Sequence, residues 1–426
     1  MSLFLYRTFS FLIQPFMGVW LRLRMRRGKE DAARLRERLG YAAIPRPEGK
    51  LLWLHGASVG ESVSIIPLLA RITETYPALN ILVTTGTVTA AAIMAARMPA
   101  RCIHQYIPVD TQAAVRRFLK HWQPELGLVV ESELWPNLIL TAKAQGCTLV
   151  QVNGRMSPRA FATWQKHRGL ARKMLECFSL CLAQSEEDGE RFRQLGMPDV
   201  QCVGNLKFDA PPPPADPVKV GQLVNMIGTH PVWAAASTHP GEEQQLAEAH
   251  LRLRAVHPDL LLILIPRHPA RGAELKTMIE ANFPGVGLVV LRSTGEAITT
   301  QTGVYIADTM GEMGIFYRVA GIVFMGGSLV KHGGQNPLEP ARLECAILTG
   351  PHTHNFTRAY AELTAAGCAI TVASAEELAA GIGELLAAPA RQREIAIRTR
   401  EFMETRIGEL ERFLQALAPF LSNVSV

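Results

Sequence analysis

Four consecutive prolines, Pro211 to Pro214, followed by Ala215, Asp216 and Pro217, cut this 426-residue chain near its midpoint. Each proline fixes φ and lacks a backbone donor, so the run fits neither a helix interior nor an inner strand and reads as a stiff connector. The same pattern lies on both sides of it. Upstream, short apolar runs at 51–54, 81–84, 126–130, 148–152, 180–183 and 201–203 alternate with helical patterns. Downstream, runs at 232–236, 260–265, 287–291, 304–307, 322–325, 346–348 and 369–372 do the same. Such alternation predicts parallel βαβ units, hence an α/β chain of two doubly wound, Rossmann-like domains facing across a cleft. Ligands then sit at the C-terminal ends of the strands.

Three segments are expected: 1–29 as a membrane anchor with a basic flank, 30–210 as an acceptor-side domain, and 211–426 as a nucleotide-sugar domain. A single long helix from about 391 to 421 either stays with the second domain or crosses back to the first. Charge supports the first boundary. Residues 1–50 hold 11 Lys/Arg against 4 Asp/Glu, whereas the rest of the chain is nearly balanced. A nucleic-acid binder carries its basic face on the folded body, so nucleic acid is not an expected partner. Here the excess adjoins the apolar run Leu3–Leu21, and Arg22, Arg24, Arg26, Arg27 and Lys29 follow it, which points to anionic lipid on the cytoplasmic side. The run either spans the bilayer or lies in its interface. The seven cysteines are odd in number and include no Cys-x-x-Cys pair, as expected of reduced, buried thiols.

The motifs fall after predicted strands. His55-Gly-Ala-Ser-Val-Gly-Glu61 turns tightly into a helix, and Glu61 either takes a proton from an attacking hydroxyl or only complements the helix dipole. Ser58 and Gly60 in that turn, with Lys207 further on, are acceptor-side or loop candidates. Glu131-Ser-Glu-Leu-Trp-Pro-Asn137 offers Glu133 either to an acceptor or to the loop itself. In the second half Arg267 and His268 follow a strand and suit a phosphate or carboxylate. Met310, Gly311 and Glu312 open a helix whose amides suit a base or phosphate. Gly326, Gly327 and Ser328 let the backbone approach a ligand, while Asn336, Pro337 and Leu338 start a helix and Glu339 suits ribose hydroxyls. No Asp-x-Asp pair, P-loop or Gly-x-Gly-x-x-Gly is present; the expectation is no bound metal and no cofactor.

Taken in order, these motifs, with Asn205-Leu-Lys-Phe-Asp209 and Pro266-Arg-His-Pro269, resemble those of bacterial 3-deoxy-D-manno-octulosonic acid (Kdo) transferases. The resemblance runs the length of the chain. It implies a GT-B fold on the cytoplasmic face of the inner membrane. It also implies inverting transfer of Kdo from CMP-Kdo to the lipid A precursor, without a catalytic metal. By motif, Glu61 is the general base and Glu133 a second essential acid. Arg267 and His268 bind the CMP phosphate region, Met310 to Glu312 the nucleotide, and Asn336 to Glu339 the cytidine ribose. The resemblance also gives Arg34, Arg36 and Arg38 an alternative: the acceptor's phosphates or bilayer head groups. Two other readings stay open: a different GT-B enzyme or sugar-nucleotide epimerase, and a membrane-tethered nucleotide sensor without catalysis.

Overall fold

The computed structural model describes residues 3–425. The chain forms two compact units, one built from the chain up to Ala210 and from Ile407 onward, the other from Pro211–Arg406.

In the first unit the strands are β1 (Leu51–His55), β2 (Asn80–Thr85), β3 (Ile103–Tyr106), β4 (Leu126–Val130), β5 (Thr148–Gly154), β6 (Phe178–Ala183) and β7 (Val200–Cys202). They make one parallel sheet in the order β3-β2-β1-β4-β5-β6-β7. β1 and β4 are buried along their full length, which is why they read as unbroken apolar runs. The strand order reverses between β1 and β4, paired from Leu52↔Leu126 to His55↔Val129. The two loops that leave this switch point are those carrying Glu61 and Glu133. β3 escaped the sequence reading because His104 and Gln105 interrupt its apolar character.

The second unit repeats the plan with β8 (Val232–Thr238), β9 (Leu261–Pro266), β10 (Leu288–Leu291), β11 (Thr302–Ile306), β12 (Ile322–Met325), β13 (Ala346–Thr349) and β14 (Ala369–Thr371). Its parallel sheet runs β10-β11-β9-β8-β12-β13-β14, with the switch between β8 and β12. The loop after β12 passes so close to the end of β8 that a Cβ on Gly326 would lie 2.6 Å from the Ser237 carbonyl oxygen. Only glycine fits there.

The expected C-terminal helix is two helices, Pro389–Glu404 and Glu409–Ser425, separated where Gly408 takes φ 95°. The second completes the first unit: Phe413, Leu417 and Leu421, spaced i, i+4, i+8, are fully buried against Leu52, Leu54, Val83 and Leu128.

The N-terminus narrows the two alternatives of the sequence reading. The apolar run is the helix Leu3–Ile13, a 3-10 turn Gln14–Phe16 around Pro15, and the helix Met17–Arg26. No helix among the described residues is long and apolar enough to cross a membrane. The first helix lies on the body through a polar stripe. Tyr6 Oη donates to Asp110 Oδ2 at 2.7 Å, Ser10 Oγ accepts from Asn137 Nδ2 at 3.1 Å, and Gln14 Oε1 accepts the Ala113 amide at 3.2 Å. Most of its apolar residues point outward: Phe4 is 76% exposed, and Phe9, Phe11 and Leu12 are also exposed, as is Phe16 in the turn.

Much of the basic flank is spoken for. Arg24 Nε donates to Glu30 at 2.7 Å, Arg34 grips Glu37 with two bonds of 2.8 Å, and buried Arg38 lies 3.3 Å from Glu30. Arg36 stacks over Tyr41. Arg34 and Arg38 therefore brace the fold, whereas Arg22, Arg26, Arg27 and Lys29 are exposed.

Candidate functional site

In the first unit three acidic side chains gather around the ends of β1 and β4. Ser58 caps the helix Val59–Thr75, its Oγ accepting the Glu61 amide at 3.4 Å. Glu61 answers: Oε1 accepts from Ser58 Oγ at 2.8 Å and Oε2 from the Ala57 amide at 2.7 Å. This is a capping box, so the structural role weighed for Glu61 is filled. The carboxyl is also tuned. Burial raises its pKa, and the charges of Glu131 and Glu133 raise it further, against the two hydrogen bonds. With 7% of its surface exposed, Glu61 is a desolvated carboxylate of raised basicity, as a general base near neutral pH requires. Gly60 is the open position of the turn, where an added Cβ would meet nothing within 4 Å.

Glu133 has the opposite tuning. Burial pushes its pKa up, but the His55 ring and the Trp135 indole N–H, 2.6 Å from Oε2, outweigh it and hold the carboxyl below the ordinary range. His55 is fully buried. Its Nδ1 lies 3.0 Å from Thr84 Oγ1, and its Nε2, with no hydrogen-bond partner, lies 3.9 Å from Glu133 Oε2. Two acids with divergent environments sit side by side, one poised to take a proton and one kept ionised.

Glu131, which the sequence reading left without a role, turns the chain here. It adopts φ 57°, a left-handed backbone rare for a non-glycine residue, and its carboxylate pairs with Lys207. Lys207 lies in the turn Leu206–Phe208, capped by Asn205 Oδ1. The C-terminal segment anchors that turn: Glu409 Oε2 accepts the Asn205 amide at 2.5 Å, and Asp209 takes the amides of Gly408 and Leu410. Nothing local in the sequence marks Glu409 as part of this arrangement.

In the second unit the ends of β8, β9 and β12 carry a basic cluster. The His239 ring stacks on His332 with centroids 4.0 Å apart and meets His268 edge-on at 6.5 Å. Burial lowers the His239 pKa to about 4, helped by the positive charge of His332, Arg267, His268 and Arg271. Arg271 is committed to Glu243 and Glu274. The half-buried Arg267 guanidinium has no ion-pair partner among the described residues. A fixed cation without a carboxylate, beside two partly exposed histidines, fits an anion. Sequence reading named Arg267 and His268 but passed over His239 and His332, whose meeting needs the fold.

The glycine loop behaves differently from expectation. The fully buried Glu242 carboxylate accepts the amides of Gly327, Ser328 and Leu329 at 2.7, 3.0 and 3.0 Å, and that of His239 at 3.3 Å. Ser328 is itself buried, its Oγ accepting the Gly350 amide at 2.7 Å. Gly326 donates its amide to Ala236 O. The amides of Gly326, Gly327 and Ser328 are thus spent within the protein, so a ligand approaching this backbone would not be met by them.

The helix expected at Asn336–Pro337 is a single turn, Leu338–Ala341, too short to sum a useful dipole. Asn336 Oδ1 caps it at the Leu338 amide, Pro337 and Leu338 are buried, and Glu339 is partly exposed. Glu312 is gripped by Arg292 at 2.6 Å, Lys219 at 3.0 Å and Thr309 at 2.6 Å, and Arg292 above all holds its pKa down to about 2. Met310 is 70% exposed beside Gly311, leaving an open face there. Among the described residues no group of three or more His, Cys, Asp or Glu is placed to hold a metal. All seven cysteines are free, six of them buried.

Comparison with known proteins decides the family. Residues 33–210 match the model of the 3-deoxy-D-manno-octulosonic-acid transferase N-terminal region. A 3-deoxy-D-manno-octulosonic acid transferase of Haemophilus influenzae is 34% identical, with 99% of each chain covered. The chain belongs to the Kdo transferase family. It is therefore a member of a glycosyltransferase family, and its two parallel seven-stranded sheets are the GT-B fold.

Solved structures show how widely that fold is used. A glycosyltransferase of Rickettsia africae matches at TM-score 0.59 with 11% identity, over 89% of this chain and 99% of that one. A UDP-N-acetylglucosamine 2-epimerase of Listeria monocytogenes matches at TM-score 0.59 with 14% identity, over 88% and 97%. Likeness at that identity concerns architecture alone.

Proposed function

We propose that this Kdo transferase moves Kdo from CMP-Kdo to the lipid A precursor in lipopolysaccharide biosynthesis, with inversion and release of CMP, on the cytoplasmic face of the inner membrane. The observation that carries the reading is the contrast between the two clusters. One unit offers a desolvated carboxylate, Glu61, whose pKa is raised by burial and by two neighbouring acids. The other offers Arg267, with no ion-pair partner among the described residues, near His239, whose ring meets those of His332 and His268. A nucleotide-activated acidic sugar needs positive charge at its phosphate and carboxylate, and its acceptor alcohol needs a base.

In this scheme Glu61 takes the proton of the acceptor hydroxyl as the oxygen attacks the anomeric carbon from the face opposite the leaving CMP. Glu133, held ionised by His55 and Trp135, orients the acceptor or the developing positive charge of the ring. Arg267 and His268 hold the donor's anionic groups, and the charge that builds on departing CMP is met there. Met310 to Glu312 and Asn336 to Glu339 line the nucleotide side, with Glu339 toward the ribose. The outward apolar face of the Leu3–Ile13 helix lies in the bilayer interface, in keeping with an acylated acceptor.

Mass spectrometry of a tetra-acylated lipid acceptor after incubation with enzyme and freshly made CMP-Kdo tests this directly. The lipid should gain the mass of one or more Kdo units while CMP appears. An altered nucleotide sugar with no change in the lipid would instead point to an epimerase and sink the proposal.

A further inference from the structure

The loop bearing Glu131 and Glu133 leads into the helix Pro136–Ala144, and the start of that helix is not capped from within. Its N-cap is Trp135, which makes no side-chain capping bond. The cap comes from Asp110, 27 residues upstream, whose Oδ2 accepts the Asn137 amide at 3.0 Å and whose Oδ1 accepts the Leu138 amide at 2.8 Å. The Asp110 carbonyl also accepts from Asn137 Nδ2 at 2.7 Å.

Two residues of the N-terminal helix close this arrangement. Tyr6 Oη donates to the same Oδ2, and Ser10 Oγ accepts from the same Asn137 amide group. From below, the strand-end segment that holds Asp110 is tied to buried Arg38, whose carbonyl accepts the Val109 amide at 2.8 Å and whose guanidinium reaches the Ile107 carbonyl. The path from the membrane-facing helix to Glu133 is therefore short: Tyr6 and Ser10, then Asp110 and Asn137, then Trp135, then the Glu133 carboxylate. Every step is a hydrogen bond except that from Asn137 to Trp135, which are joined through Pro136.

We propose that Asp110 is a positioning residue for the Glu133 loop, and that Tyr6 and Ser10 make the seating of the N-terminal helix a condition for that loop's working geometry. The inference rests on the proposed transferase reading and adds that the helix serves the active centre through its inner, polar face, while its outer, apolar face meets lipid. An anchor whose only task is attachment has no use for a half-buried tyrosine–aspartate bond at the foot of an active-site loop.

The test uses the full-length chain with a detergent-dispersed acceptor, so that membrane attachment does not limit the rate. Tyr6→Phe, Ser10→Ala and Asp110→Asn are compared with wild type for kcat, donor KM, vesicle association and the 19F resonance of Trp135 in 5-fluorotryptophan-labelled protein, assigned with Trp135→Phe. Tyr6→Phe keeps the ring and removes only the bond. The expected result is a kcat lower by about ten- to a hundredfold, the upper end being the order for a group displaced by about 1 Å. Donor KM and vesicle association should be unchanged, with a shifted or broadened Trp135 line. Wild-type kcat and an unmoved Trp135 line in Tyr6→Phe and in Asp110→Asn would overturn the inference while leaving the transferase reading intact. Wild-type protein that transfers no Kdo would overturn both. If Asp110→Asn fails to fold, Tyr6→Phe with Ser10→Ala decides.

Discussion

The Glu242 carboxylate accepts the Gly327 amide at 2.7 Å from a position with no solvent exposure, across 85 residues of sequence. That bond and its three companions turn the most ligand-like loop of the chain into a self-satisfied structure. Glu242→Ala should leave buried amides unpaired and cost about 3 kcal/mol, the order for removing a buried charged acceptor. Urea unfolding followed at the second unit should show the loss. Glu242→Gln, which keeps one acceptor oxygen, should lose less. Equal stability of Glu242→Ala and wild type would show that the loop holds itself.

The acidic limb of activity carries the second prediction. Glu61 works as a base only when ionised, and its folded pKa is raised above the ordinary 4.5 by burial, then by Glu131 and Glu133. Transfer should therefore fall as pH drops through a midpoint above 4.5. Glu133→Gln removes one of the two negative neighbours, leaving Glu131 with its Lys207 partner, so the midpoint should move to lower pH as the rate declines. Glu61→Gln should reduce kcat by about two to four orders of magnitude with CMP affinity retained. A limb that stays put in Glu133→Gln would separate the two acids electrostatically.

Arg267 supplies a cleaner binding test, because its guanidinium has no ion-pair partner among the described residues to release. Arg267→Ala should weaken CMP-Kdo binding by about 1.5–3 kcal/mol in calorimetry, the order for a charge-assisted bond. Its effect on folding stability should be near zero. Unchanged affinity would remove Arg267 from the donor site.

The N-terminal helix offers a prediction about attachment. Replacing Phe4, Phe9 and Phe11 by serine removes exposed apolar surface without touching Tyr6 or Ser10. Association with anionic vesicles should fall at least tenfold, since each phenylalanine fully inserted is worth about 1.5–3 kcal/mol. Salt should weaken the wild-type association further by screening Arg22, Arg26, Arg27 and Lys29. Activity on dispersed acceptor should persist. Vesicle binding that survives the triple change would place the contact elsewhere.

What the sequence made legible follows from how its signals arise. Inner strands of a parallel sheet are apolar on both faces, so β1, β4, β9 and β12 announce themselves as short runs, and the loops behind them could be located to within a residue. How the N-terminal helix seats on the body was not legible, because composition along a run does not say which face turns inward. Tyr6, Ser10 and Gln14 are few among many apolar neighbours, yet they form the stripe that docks. Partnerships across long separations, Glu242 with Gly327, Asp110 with Asn137 and Glu409 with Asn205, have no local signature, because a carboxylate and a distant amide leave no periodic trace. The long helix broke at Gly408 for a reason visible only in the fold: Asp209 takes the amides on both sides of Glu409, and the chain must turn to reach it.

That return of the chain to its own beginning bears on how the protein is made. A ribosome delivers the first sheet early, but the cover over Leu52, Leu54 and Leu128 arrives only with Phe413, Leu417 and Leu421. The inserted unit can mature first, while the half synthesised before it waits with an open apolar flank for the last residues to emerge. A nonsense mutation between Arg406 and Phe413 would therefore injure the earlier-made unit and leave the inserted one intact.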